Sequence, residues 1–311
     1  MDKIAFLFAG QGSQYEGMGR SLCNISGQVK DLFSRAELFK PDITELCLFG
    51  DKEQLSVTLN TQPCLFLVDL AAATVLKEKK IKPDYIAGFS LGEIPALVFA
   101  GVLGFDEGFQ LVLKRAEYMN EDAIKSDGAM AAVMKLSPQE IENLAKEFNK
   151  VYPVNYNCSS QTVVAGERES LARFCEKARL DGGRTVNLAV SGGFHSPFMD
   201  NASDRLKEYL AKVKVKKAKT PIYSNFTADF YSEKSDDIKN NISSQVNHPV
   251  YWSRIIEDMA EKGVDTFIEV GAGKTLSGLV KRITPDATIL NVEDEESLKK
   301  AEEFFKQENK I

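Results

Sequence analysis

The chain has 311 residues, 43% of them hydrophobic and 27% charged, with a formal net charge of −6. That length buries a substantial core and allows about two domains, or one domain carrying an insertion, and the acidic balance leaves no global footprint for nucleic acid. Two histidines exclude a histidine-rich metal centre, no C-x-x-C spacing replaces it, and five scattered cysteines in apolar company point to reduced thiols in the cytoplasm.

In chain order, Ile4 to Ala9 reads as a first strand, too short an apolar run for a signal-peptide core or a membrane span. The glycine-rich segment Gly10-Gln11-Gly12-Ser13-Gln14 then reads as the loop that follows a parallel strand at its carboxyl end. Residues 26–40 and 62–78 carry helical stripes, and Tyr85 to Ala87 is a second strand. It leads through Gly88-Phe89-Ser90-Leu91-Gly92-Glu93 into an apolar helix that ends near Gly101. This alternation predicts a parallel sheet covered on both faces. Asp106 reads as the N-cap of a helix running to about Ile124, with Phe109, Val112, Leu113, Ala116 and Met119 on its apolar face. On that wheel Arg115 lies at the edge of the stripe, whereas Lys114 points to solvent.

From Gly128 the texture changes. Residues 129–135 read as a strand, 138–148 as a helix, 151–157 and 162–165 as strands, 170–180 as a helix and 184–189 as a strand. That order, βαββαβ, is the ferredoxin-like motif. The predicted fold is therefore α/β: a parallel-sheet, α/β-hydrolase-like core formed by 1–127 and 191–311, with 128–190 inserted as a ferredoxin-like small subdomain. The remainder of the core is expected as a helix over 196–213, a strand at Ile222 to Ser224, a helix over 252–262 and a strand over 266–270. A further helix follows Gly271-Ala272-Gly273, then a strand over 289–292 and a charged helix over 295–306.

Gly88-x-Ser90-x-Gly92 has the spacing of a nucleophile elbow, in which glycines permit a sharp strand-to-helix turn and leave the serine hydroxyl exposed at a helix N-terminus. A serine at neutral pH needs a neighbouring base, and only His195 and His248 are available. His195 stands in a glycine-rich loop where the inserted segment hands back to the core, while His248 lies in a polar turn and reads as structural. A tetrahedral intermediate needs donors: the elbow offers the N–H of Leu91, and the loop Gly10 to Gln14 offers a second through Gln11.

Taken together, Gly10-Gln11-Gly12-Ser13-Gln14, Gly88-Phe89-Ser90-Leu91-Gly92-Glu93, Arg115, Gly193-Phe194-His195-Ser196-Pro197, Gln245 before Asn247-His248-Pro249, and Glu269-Val270-Gly271-Ala272-Gly273-Lys274 resemble the malonyl-CoA:acyl carrier protein transacylases. These belong with the acyltransferase domains of fatty acid and polyketide synthases, and the match runs from about residue 4 to residue 290 in one order. The resemblance implies that Ser90 is acylated, with His195 as base and then acid, and that Gln11 and Leu91 form the oxyanion hole. It implies that Arg115 holds the free carboxylate of malonyl, that the main chain of Gln245 orients His195, and that Phe194 disfavours branched extender units. Malonyl-CoA and an acyl carrier protein are the implied partners, with no resident cofactor, metal, nucleic acid or membrane. One departure stands out: Phe89 occupies the position where the family usually has histidine.

Two rival readings follow from the same residues. An editing acyl hydrolase acting on carrier proteins would share the scaffold but has no use for the Arg115 clamp. An inactive carrier-docking module would account for Phe89 but not for Ser90, His195, Gln11 and Arg115 together. Gly273-Lys274-Thr275 resembles a phosphate loop but lacks the leading glycine, since Ile268 stands there. Lysines 207, 212, 214, 216, 217 and 219 form a basic run in an acidic chain, the local patch an acidic carrier would need.

Overall fold

The computed structural model describes residues 3–308, so the outermost ends of the expected core, 1–2 and 309–311, lie outside the described residues. The strands are, in chain order, β1 (Lys3–Phe8), β2 (Tyr85–Gly88), β3 (Gly128–Met134), β4 (Val151–Cys158), β5 (Gln161–Glu167), β6 (Arg184–Asn187), β7 (Val264–Val270) and β8 (Thr288–Val292). They form two four-stranded sheets, one ordered β2-β1-β7-β8 and the other β4-β5-β3-β6.

The first sheet is wholly parallel. β1 lies inside it with partners on both edges, so its sequence has no polar face to present: Ala5, Phe6, Leu7 and Phe8 are all buried. β1 and β2 end side by side, Phe8 opposite Gly88, which sets the Gly10 loop next to the Ser90 turn. The helix Thr58–Glu78 belongs to this unit. It is long and apolar enough to cross a membrane, yet 83% of its most apolar window is buried inside the protein, the signature of a core helix.

The second sheet is antiparallel throughout. Two helices, Pro138–Ala145 and Arg168–Leu180, follow β3 and β5. Their apolar faces close a core of Val133, Ile141, Leu144, Val164, Leu171 and Phe174. Ser137 opens the first of them with a reciprocal capping box to Glu140.

The chain divides into two compact units, one of 1–116, 214–223 and 258–311, the other of 117–213 and 224–257. The second is wider than the expected insertion at 128–190. Its extra segments are tied to one another: Asp122 accepts from the side chain of Asn201 (2.8 Å) and the N–H of Ala202 (2.7 Å), and Arg205 pairs with Glu121 at 2.6 Å. The end of the long helix Phe105–Lys125 and the helix Asp200–Ala211 therefore belong with the antiparallel sheet rather than with the parallel one.

Several boundaries differ from expectation for local reasons. Asp106 is not a cap: the helix begins at Phe105, and Asp106 sits in its first turn, paired with Arg35 at 2.6 Å. The expected strand at Ile222 to Ser224 reduces to a single bridge between Ile222 and Ile86, because Ser224 turns away to bond Asp229 and Ala228. The helix expected from 196 starts at Asp200, after a 3₁₀ turn Pro197–Met199 capped by Ser196. Helices Arg20–Ile25, Ile43–Phe49, Lys52–Ser56 and Ser235–Ser244 were absent from the expectation, the first three being too short to show a periodicity.

Candidate active site

At the elbow, the backbone enforces what the glycine spacing implies. A Cβ on Gly88 would collide with the backbone of Gly92 and Glu93, and one on Gly92 would come within 2.5 Å of the Ala9 carbonyl oxygen. Ser90 itself adopts φ 53°, the left-handed region that costs a non-glycine residue energy and clusters at functional sites. It opens the 3₁₀ turn Ser90–Gly92, which runs directly into the helix Glu93–Phe99, so the Leu91 N–H lies in the first turn of a continuous helical segment.

The Gly10 loop is pinned against this turn. Gly12 donates its N–H to the side chain of Gln14 at 2.7 Å, and the Gln11 side chain reaches Thr58 Oγ1 at 3.4 Å. A Cβ on Gly10 would stand 2.5 Å from the Phe89 carbonyl oxygen and 3.0 Å from its ring. Phe89 thus packs its ring on the root of the Gln11 loop, which gives this unusual residue a steric role beside Ser90.

Arg115 lies on the long helix and is buried, 2% exposed. Its Nη1 donates to Gln62 Oε1 at 2.9 Å and its Nη2 to Ser90 Oγ at 3.2 Å. Loss of hydration pulls the guanidinium down to about 10, partly offset by the attraction of Glu93, so it stays cationic at neutral pH. Lys114, expected in solvent, is half-buried. Gln62 and Glu93 are the residues the sequence reading missed. Both are buried, and Gln62 sits in the otherwise apolar helix Thr58–Glu78. A buried amide in an apolar run demands a partner, and that demand was the available signal.

In the other unit, His195 also adopts a left-handed conformation, φ 61°, and is 3% exposed. Its N–H bonds Val246 O at 2.9 Å, and its Nδ1 lies 2.8 Å from the Gln245 carbonyl oxygen. A carbonyl only accepts, so Nδ1 carries the proton and Nε2 holds the lone pair of the neutral ring. Gln245 ends the helix Ser235–Ser244 as its C-cap residue, which fixes the direction of that carbonyl. Ser196 donates to Gly193 O at 2.5 Å and caps the next turn, holding the loop around His195. Phe194 is buried. His248 is occupied structurally, with Nδ1 near Ser244 O at 2.9 Å and its ring against Phe226.

The phosphate-loop look-alike is closed by an acid. Glu293 accepts the Gly273 N–H at 2.9 Å and faces Lys274 at 3.9 Å, which places negative charge where a phosphate would need donors. The basic run is solvent-facing: Lys207, Lys212, Lys214, Lys216, Lys217 and Lys219 are all exposed.

A parallel sheet ending in a strained serine turn, with a buried guanidinium at the hydroxyl, marks an α/β protein whose arrangement suits acyl transfer. Residues 5–299 match the acyl transferase domain family, and the chain belongs to that family. Within it the chain groups with the malonyl CoA-acyl carrier protein transacylases. The protein of that name from Bacillus subtilis is 40% identical, over 99% of both chains. The structure of the Clostridium perfringens malonyl CoA-acyl carrier protein transacylase superposes with a TM-score of 0.95 at 36% identity, covering 99% of this chain and 98% of that one. A malonyl-transacylase solved in complex with a type II PKS acyl-carrier protein superposes at 0.93 with 34% identity, covering 97% and 100%.

Proposed function

We propose that this chain transfers the malonyl group from malonyl-CoA to the phosphopantetheine thiol of an acyl carrier protein, through a malonyl ester on Ser90. The observation that carries the reading is the Arg115 guanidinium, buried, anchored by Gln62 and 3.2 Å from the Ser90 hydroxyl. A planar cation held beside a nucleophile selects acyl groups that end in a carboxylate, which it meets bidentately. The same feature disfavours an editing hydrolase, whose simple acyl chains carry no anion for that charge to meet.

In the proposed route Ser90 Oγ attacks the thioester carbonyl while its proton passes to His195 Nε2. The N–H groups of Gln11 and Leu91 receive the developing oxyanion. The C–S bond then breaks, and the imidazolium returns the proton to the departing CoA sulfur. The carrier thiol repeats the sequence in reverse, losing its proton to His195 and releasing Ser90. The Gln245 carbonyl stabilises the imidazolium and fixes its tautomer, so the route asks for no acidic third residue and no resident cofactor. Phe194, buried beside His195 in sequence, is the proposed limit on branched extender units. The exposed lysines are the proposed landing surface for an acidic carrier protein in fatty acid or polyketide synthesis. The strand order β4-β5-β3-β6 with its two intervening helices supports a ferredoxin-like small unit, and the β2-β1-β7-β8 sheet with its elbow supports a hydrolase-like core. A cytoplasmic setting fits five buried, unbridged cysteines.

The test is mass spectrometry of the protein after mixing with malonyl-CoA. A malonyl adduct on the Ser90 peptide, lost in Ser90→Ala and discharged by holo carrier protein, is expected. An unmodified Ser90 peptide under turnover conditions overturns the reading.

A further inference from the structure

The loop that offers the Gln11 N–H is held from two sides. One is the Ser90 turn. On the other, the Ala9 N–H donates to Val270 O at the end of β7 (3.2 Å), and the turn 271–273 that follows β7 lies against Ser13. A Cβ on Gly273, where φ is 81°, would stand 3.4 Å from the Ser13 carbonyl oxygen and 3.6 Å from its Cβ. That turn has its own anchors at the end of β8. Gly271 donates its N–H to Val292 O at 3.1 Å, and Gly273 donates to Glu293 Oε2 at 2.9 Å. Glu293 is itself fixed: its N–H reaches Ser297 Oγ at 3.0 Å, its Oε1 accepts from the Asn291 amide at 3.1 Å, and its side chain is 14% exposed. It also lines one cleft with Tyr15, the residue after Gln14, and burial followed by the Glu293 charge keeps the Tyr15 phenol above its ordinary range. A carboxylate that accepts a backbone N–H makes a charge-assisted bond, roughly twice as strong as a neutral one.

We propose that Glu293 is a positioning residue for the Gln11 N–H, setting the oxyanion-receiving loop through Gly273 and Ser13. Glu293 takes no part in making or breaking bonds; its effect is on where a donor stands when charge develops on the carbonyl oxygen. Oxyanion donors act only at fixed geometry, and removing one costs about 10²–10³-fold in rate. Loosening the loop that carries one displaces the donor instead of deleting it, so the expected loss is smaller. This rests on the malonyl-transfer reading above, which gives Gln11 its role, and it adds a demand of its own. The loss falls on the rate of acylation and on the polarisation of the acyl carbonyl, not on affinity for the acyl donor. A residue that only stabilised the fold would move neither.

The experiment forms malonyl-Ser90 from malonyl-CoA that carries an isotope label at the reacting carbonyl. Wild type is compared with Glu293→Ala, Glu293→Asp and Glu293→Gln by single-turnover kinetics, infrared difference spectra and thermal melts. Alanine removes the acceptor, aspartate keeps the charge but is one methylene too short for the Gly273 N–H, and glutamine keeps the reach with a neutral oxygen. For Glu293→Ala and Glu293→Asp the maximal acylation rate is expected to fall about tenfold, equivalent to about 1.4 kcal/mol at the barrier, at an unchanged half-saturating concentration of malonyl-CoA. Their ester carbonyl band is expected at higher frequency than in wild type, because a carbonyl with weaker hydrogen bonds is less polarised. Glu293→Gln is expected to recover most of the rate and the wild-type band. Asp294→Ala is the control: it removes the N-cap of the helix Glu295–Gln307 while keeping the Glu293 carboxylate, and is expected to lower the melting temperature with the band unmoved. If Glu293→Ala loses its cooperative melt, Glu293→Asp decides. A wild-type rate and band in Glu293→Asp overturn the positioning role while leaving malonyl transfer intact, and so does a band that moves equally in Asp294→Ala. Absence of any malonyl-Ser90 in wild type overturns the functional reading instead.

Discussion

A buried guanidinium cannot be a neutral bystander, because its desolvation has to be offset by partners of fixed geometry. Gln62 supplies one such partner to Arg115 at 2.9 Å, and Glu93 contributes attraction through space. Replacing Gln62 by Met removes one charge-assisted bond, and such bonds are worth about 1.5–3 kcal/mol. The kcat/KM for malonyl transfer is therefore expected to fall by at least about tenfold, with the thermal melt still cooperative. An unchanged kcat/KM would show that Arg115 is held by other means. His195→Ala removes the proposed base and is expected to lower kcat by about 10²–10⁴-fold, a typical contribution of a positioned general base. Scarcity and spacing single out Ser90, His195 and Arg115 in the sequence as candidates: one elbow, two histidines, one arginine at the edge of an apolar stripe. Gln62 and Glu93 were not legible there, because their roles depend on a second helix and on burial that a linear pattern does not express.

Elements place these residues, and the elbow is the least forgiving of them. At Gly92 an added methyl meets the carbonyl oxygens at the end of β1, backbone atoms that cannot step aside without distorting the sheet. Gly92→Ala is expected to cost about 1–3 kcal/mol through overpacking and to lose most activity, because relief of the clash would move Ser90. A variant that melts and turns over like wild type would contradict this account of the turn. The long strands and helices were readable from their patterns, since β1 is apolar throughout and the helix Phe105–Lys125 carries a clear stripe. The bridge at Ile222 was misread as a strand because three residues of strand-like composition contain no information about the turn at Ser224 that ends the pairing.

At the scale of the whole molecule, the core of the parallel-sheet unit carries an ionisable liability. Asp69, on the helix Thr58–Glu78, is fully buried, and neither carboxyl oxygen has a hydrogen-bond partner among the described residues. Burial, and after it the nearby Glu269, pushes its carboxyl well above the usual range. Burial also raises Glu269, against the opposing bonds from Ser277 and Leu276 at the start of the next helix. The folded protein therefore keeps a proton on Asp69 that the unfolded chain has released. Its contribution to stability is complete below the unfolded value, about 3.9, and is lost progressively as pH rises to the raised folded value. Asp69→Asn removes this dependence. Its stability relative to wild type is expected to improve with rising pH, by up to about 1.4 kcal/mol per pH unit within that window. Denaturant melts of both proteins from acid to mildly alkaline pH provide the measurement, and parallel curves would refute the assignment.

The order β2-β1-β7-β8 also bears on how the protein is made. β1 leaves the ribosome well before β7, yet one of its two edges is completed only by β7 at Val264–Val270. Until then the nascent chain carries an apolar strand, Ala5 to Phe8, with that edge open, and non-local pairing of this kind is slow and exposed to aggregation. A chain truncated after Glu257 is therefore expected to be recovered mainly in aggregates, whereas one ending at Glu308 retains every described strand. A soluble truncation in which the segment 3–116 resists limited proteolysis would show that β1 and β2 suffice without β7. The long interval between the two strands makes this protein a natural client for holding chaperones during synthesis, a cost built into pairing Lys3–Phe8 with Val264–Val270 beneath the Ser90 turn.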